Sequence, residues 1–128
     1  MGGYSQKSFK MENNSEACVL KIYIGSTDQV NQTPLYEFLV FQAKKKGIAG
    51  ATVTKGIMGF GASSIIHSYK FWEISEKVPL VVELVDQEEK LMKYYETVRA
   101  QLEEMKYGCL VTLSKTDVLL YRSGNHRV

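Results

Sequence analysis

Two cysteines, two prolines and two histidines are all that the 128 residues carry of these types. Cys18 and Cys109 each open an apolar, strand-like run and have no pair of histidines beside them, which excludes a zinc-type ligand set and leaves them as buried thiols. No apolar run approaches the roughly 18 residues that cross a bilayer. The opening MGGYSQKSFKMENNSEA has no apolar signal core. Together these absences exclude membrane insertion and make the cytoplasm the expected compartment. Charge of one sign is scarce as well: sixteen Lys and Arg against fourteen Asp and Glu leave +2. The basic residues are dispersed rather than gathered in a stripe, which argues against nucleic acid as a partner. The run KKK at Lys44 to Lys46 closes an expected helix, where cations suit the helix dipole.

What is present describes one domain of ordinary composition, with 45% hydrophobic and 23% charged residues. Residues 1–15 are polar and read as a disordered leader, 16–122 as the domain and 123–128 as a flexible tail. CVLKIYIG alternates, with Leu20, Ile22 and Ile24 on one face and Lys21 and Tyr23 on the other, so it predicts a strand. Thr33 as N-cap and Pro34 at the first helical position open a helix with Leu35, Phe38, Leu39 and Ala43 at helical spacing. Gly47 stops it where positive φ is favoured, and IAGATVTK is the second strand. After Pro79, LVVELV predicts a central strand. Asp86 with Glu89 reads as a capping box for a second helix. Leu91, Tyr95, Val98, Leu102 and Met105 form its core stripe, and Gly108 ends it. CLVTLS and DVLLYR predict two final strands, with a turn at Lys115 and Thr116.

Strand, helix, glycine and strand thus occur twice. Two such units in series make βαββαβ, an α+β ferredoxin-like sandwich, here with an extra C-terminal strand. Both helices cover one sheet face. The other face needs a cover, and self-association is the simplest one.

KGIMGFG, Lys55 to Gly61, is the stretch that carries candidate chemistry. Two readings stand for it. In one, backbone N–H groups from Gly59 to Ala62 form an anion nest. In the other, the glycines only supply positive φ for a turn. It is not a Walker loop, because no Gly-Lys-Ser/Thr follows, and its G-x-x-G-x-G spacing is not the dinucleotide fingerprint. Lys55 and Lys70 flank the loop and suit a phosphate. Ile57 and Phe60 anchor its base through apolar contacts. His67 reads as a hydrogen-bonding group for loop or ligand, and the bolder alternative makes it a nucleophile. No base–nucleophile pair or metal set accompanies it, so no catalytic residue is assigned and the chain reads as a non-enzyme. The alternatives are a small ferredoxin-like enzyme using His67, or an interaction subunit without ligand.

The stretch PLYEFLVFQAKKKGIAGATVTKGIMGFGASSIIHS, then VPLVVELVDQEEKL and GCLVTL, resembles an uncharacterised family of PII-like proteins, relatives of the PII signal-transduction proteins. The resemblance covers Val19 to Tyr121. It implies a homotrimer with sheets facing inward, and clefts between subunits that take an adenine nucleotide (ATP, ADP or AMP) as effector, with no required cofactor. It also implies a loop between the second and third strands that signals to a protein or transporter partner. It places Gly56, Gly59 and Gly61 at the base of that loop, and Lys55, Phe60 and His67 join them as expected ligand-binding residues. It adds Gly108, Leu110, Val111 and Thr112, where PII proteins present backbone to a nucleotide. Two departures stand out. The loop lacks the modifiable tyrosine motif of PII regulators, and only Arg122 lies near the place of the C-terminal arginine pair.

Overall fold

A computed structural model of the chain describes residues 11–60, the backbone of 67–68, and 77–124. Gly61, Ala62 and Lys70, singled out above, lie outside the described residues. The long elements follow the expected order: β1 (Ser15–Gly25), α1 (Leu35–Lys45), β4 (Gly50–Lys55), β7 (Pro79–Asp86), α2 (Glu88–Glu103) and β8 (Leu110–Val118). Four two-residue strands complete them: β2 (Gln29–Val30) with β3 (Thr33–Pro34), and β5 (Met58–Gly59) with β6 (His67–Ser68). The main sheet runs β4-β7-β1-β8 and every neighbouring pair is antiparallel. This strand order, with a helix on each crossover, is the ferredoxin-like βαββαβ fold.

The register sorts the side chains. Leu20, Ile22 and Ile24 of β1 pair with Leu84, Val82 and Leu80 of β7. All six are buried beneath Leu35, Leu39 and Ala43 of α1 and Leu91, Tyr94, Val98 and Leu102 of α2. Tyr94, which the expected stripe omits, is fully buried, and its hydroxyl donates to the Leu39 carbonyl at 2.7 Å, tying the helices together. The side chains between them face away from the helices, and that face is mixed rather than apolar. Lys21 stands opposite Glu83, with Thr112 and Thr52 as their outer neighbours, between half-buried Val19, Val81 and Val85. The hydrophobic demand for a cover is therefore smaller than LVVELV alone implies.

Several boundaries differ from expectation. The predicted turn at Lys115 and Thr116 and the extra C-terminal strand are absent among the described residues. β8 runs unbroken from Leu110 to Val118, because its pairing with β1 reaches back to Ser15 and supplies partners that far. Leu119, Leu120 and Tyr121 beyond it are exposed. The part of the expected leader within the described residues packs on the fold: Met11 is buried, and the Asn13 side-chain carbonyl accepts the Tyr121 N–H at 2.6 Å. α1 starts one residue after Pro34, and its first N–H is taken by the Asp28 carbonyl at 2.8 Å rather than by a Thr33 cap. α2 ends at Glu103, before Gly108. Gly47 has the expected positive φ of 73°. Its N–H donates to Lys44 O, and the Ile48 N–H donates to Ala43 O, the paired bonds of a Schellman cap.

Asp86 is not an N-cap. Gln87 holds that position, and Asp86 ends β7 with 1% of its surface exposed. One carboxylate oxygen accepts the Gln87 N–H at 2.7 Å, and the other accepts the Ala49 N–H at 2.8 Å, with the Lys90 ammonium 3.6 Å away. A buried charge thus locks the β7–α2 corner to the loop that enters β4.

Candidate functional site

At the opposite end of the sheet, β1 stops at Gly25, β7 starts at Pro79 and the α2–β8 connector returns through Tyr107. A cavity of about 520 Å³ opens among these ends and the β5 strand. Gly56 carries the β4–β7 ladder to the cavity edge by donating to the Pro79 carbonyl at 2.8 Å. A Cβ on Gly56 would sit 3.1 Å from the Pro79 ring, so glycine serves close approach there. Neither Gly56 nor Gly59 has positive φ, and the reading of these two as left-handed turn residues is set aside.

The cavity's one lysine and one carboxylate, among the described residues, face each other. Asp28 is buried. Its Oδ2 accepts the Gly25 N–H at 2.8 Å, and its Oδ1 accepts the Lys77 ammonium at 2.7 Å. Lys77 also lies over the Tyr107 ring, 3.7 Å from its centroid, a cation–π geometry. The lysine stem crosses Gly25 so closely that a Cβ there would come within 2.4–2.6 Å of three of its carbons. The Val78 N–H donates to the Ser26 hydroxyl, and the Ser26 N–H to the Val78 carbonyl, fixing the backbone from which Lys77 projects. Cys109, in the same wall, has its thiol pushed up first by burial and then by the Asp28 charge, which keeps it protonated and unreactive near neutral pH. A smaller cavity of about 240 Å³ lies beside the first and shares Asp28 and Tyr107 as its wall.

The structure brings part of the expected set together. Gly56, Gly59 and Phe60 meet Gly108 and Leu110 at the large cavity, although about fifty residues separate the two groups. Lys55, Val111 and Thr112 are not in its lining: Lys55 is exposed at the end of β4, Val111 packs on the core, and Thr112 is exposed on the helix-free face. The backbone of His67 pairs with Gly59. Ile57 and Phe60, expected to anchor the loop base in apolar contacts, find no such cover among the described residues and are 68% and 70% exposed. Tyr23, Asp28, Lys77 and Tyr107 were missed. Asp28 sits in a polar stretch that reads as solvated loop, and only its pairing across 49 residues gives it a place here. No group of His, Cys, Asp and Glu among the described residues is arranged to hold a metal.

Residues 17–118 match DUF190, described as Uncharacterized ACR, COG1993. The chain belongs to the DUF190 family. A UPF0166 protein of Aquifex aeolicus (strain VF5) is 31% identical over 101 residues, spanning 79% of this chain and 91% of the relative. A UPF0166 protein of Methanocaldococcus jannaschii is 34% identical over 88 residues, spanning 66% and 81%. Among solved structures, the DUF190 chain is similar to CPII, a nitrogen regulatory PII-like protein from Thiomonas intermedia K12 bound to ADP, AMP and bicarbonate. The TM-score is 0.62 at 14% identity, covering 81% of this chain and 89% of that one. The DUF190 fold is thus PII-like. No helix among the described residues is long and apolar enough to cross a membrane.

Proposed function

We propose that this chain is a PII-like regulatory protein whose effector is an adenine nucleotide, ATP, ADP or AMP, held at the large cavity. The observation that carries the reading is the meeting of Gly56, Gly59 and Phe60 with Gly108 and Leu110 around one concave, largely apolar space. A cavity of about 520 Å³ falls in the range of small-molecule sites, about 300–1,000 Å³. Apolar walls suit a base. The glycine backbone and Lys77 suit a phosphate. The fold likeness to CPII adds weight, since that protein was solved with ADP and AMP.

The working unit is a homotrimer in the cytoplasm, with the helix-free face turned inward. Each cavity is completed by a neighbouring subunit that covers exposed Phe60 and Leu110. The ligand-binding set is Gly56, Gly59, Phe60, Gly108 and Leu110, joined by Tyr23, Lys77 and Tyr107, with Gly61 and His67 continuing it along the loop. The protein performs no catalysis and needs no cofactor, and its output goes to a protein or transporter partner. Light scattering on the purified chain tests the assembly: three times the 14.5 kDa chain mass is expected, and a monomer at micromolar concentration overturns it. A thermal-shift series with ATP, ADP, AMP and GTP tests the ligand class. Stabilisation by adenine nucleotides above GTP is expected, and no shift with any of them overturns the reading.

A further inference from the structure

We propose that Asp28 sets the affinity and charge selectivity of the cavity by holding Lys77 in reserve, so that the site favours a multiply charged phosphate chain over a monoanion. This rests on the reading of the cavity as a ligand site, and goes beyond it by naming the residue that limits binding. Lys77 is the only Lys or Arg among the described lining residues, and Asp28 the only carboxylate. The two charges stand 2.7 Å apart and cancel, so an arriving anion meets a neutral wall.

The two partners are not equally free to move. Asp28 is fixed at three points: its carboxylate accepts the Gly25 N–H, its carbonyl accepts the Leu35 N–H, and its own N–H donates to the Gly25 carbonyl. Its side chain is 4% exposed, against 13% for Lys77. Lys77 is anchored at its backbone, but among the described residues its ammonium is held only by Asp28 and the Tyr107 ring. An anion must therefore draw the ammonium away from a buried carboxylate that stays in place. Exchanging one carboxylate for another monoanion gains little and leaves Asp28 unpaired. A diphosphate brings more charge to the same ammonium and outcompetes Asp28. The Tyr107 ring face keeps the ammonium at the cavity wall during the exchange.

The test is calorimetry on the full chain, with pyrophosphate and adenosine as separate probes and acetate as the monoanion. Asp28→Asn should bind pyrophosphate more tightly, and Lys77→Met more weakly, each by about tenfold, the scale of one charge-assisted hydrogen bond. Adenosine, which carries no phosphate, should change less than pyrophosphate in both variants, and acetate should not compete in the parent. Unchanged or weaker pyrophosphate binding in folded Asp28→Asn overturns the proposal, as does the absence of pyrophosphate binding in both parent and variant. Should Asp28→Asn fail to fold, the parent decides: pyrophosphate should shift the NMR signal of the Asp28 carboxyl carbon, and an unmoved signal at saturation overturns the proposal. The nucleotide reading fails separately, when adenosine gives no heat and ADP binds no tighter than pyrophosphate.

Discussion

Replacing Asp86 with alanine separates a helix cap from a buried lock. A lost N-cap costs about 0.5–2 kcal/mol. The structure gives Asp86 a larger task, since its 1% exposure means that water cannot replace what is removed. Alanine leaves the N–H groups of Ala49 and Gln87 without the carboxylate that accepts them at 2.8 and 2.7 Å, and takes the counter-ion from Lys90. Hydrogen bonds to a charged group contribute about 1.5–3 kcal/mol each. Two of them, with some relief as the loop relaxes, give an expected loss of about 3–5 kcal/mol. Asp86→Asn keeps one acceptor oxygen and turns an amide N–H₂ toward the other donor, so its loss should be about 2 kcal/mol. Urea unfolding followed by circular dichroism reads both variants, with an unchanged slope showing that the unfolding reaction is the same. A loss below about 1.5 kcal/mol for Asp86→Ala, the scale of an ordinary cap, would refute the lock.

Gly47→Ala should cost about 1–2 kcal/mol by urea unfolding, because the residue has φ of 73° and a Cβ would meet nothing closer than the Lys90 ammonium at 3.6 Å, leaving backbone strain as the whole cost. Tyr94→Phe should cost about 1 kcal/mol, one neutral hydrogen bond, as it removes the donor and leaves the Leu39 carbonyl its helical partner. Burial raises the Tyr94 phenol and the Cys18 and Cys109 thiols above their unfolded values. Their contribution to stability is therefore full below the unfolded thiol value of about 8.5 and is lost as pH rises through the folded values. Urea midpoints should fall above about pH 8.5, more gently above pH 10 in Tyr94→Phe; a midpoint that rises there contradicts the burial argument.

The fold was legible because its signals are local and repeated. Alternation at Leu20, Ile22 and Ile24, helical spacing from Leu35 to Ala43 and from Leu91 to Leu102, and a stop at Gly47 each report on neighbours a few residues away. The strand order then follows from βαββαβ chirality. The end of the chain was harder, because Lys115 and Thr116 look like a turn and become strand only through pairing with Cys18 and Ala17. Asp86 was misplaced by one residue for the same reason: its partner Ala49 is 37 residues away. The site was half legible. Glycines drew attention to both stretches that meet at the cavity. The pair Asp28–Lys77, with Tyr107 beneath it, carries no sequence signature, since each residue alone looks like ordinary solvated surface.

An adenine nucleotide held at the large cavity should reveal itself in calorimetric titration of the full chain with ADP. Saturable binding of one ADP per chain is expected, weakened by about tenfold in Lys77→Met. In the parent, an ADP concentration a hundred times its dissociation constant should stabilise the fold by about 2.7 kcal/mol. No heat with ADP at millimolar concentration, together with an unchanged unfolding midpoint, would contradict it.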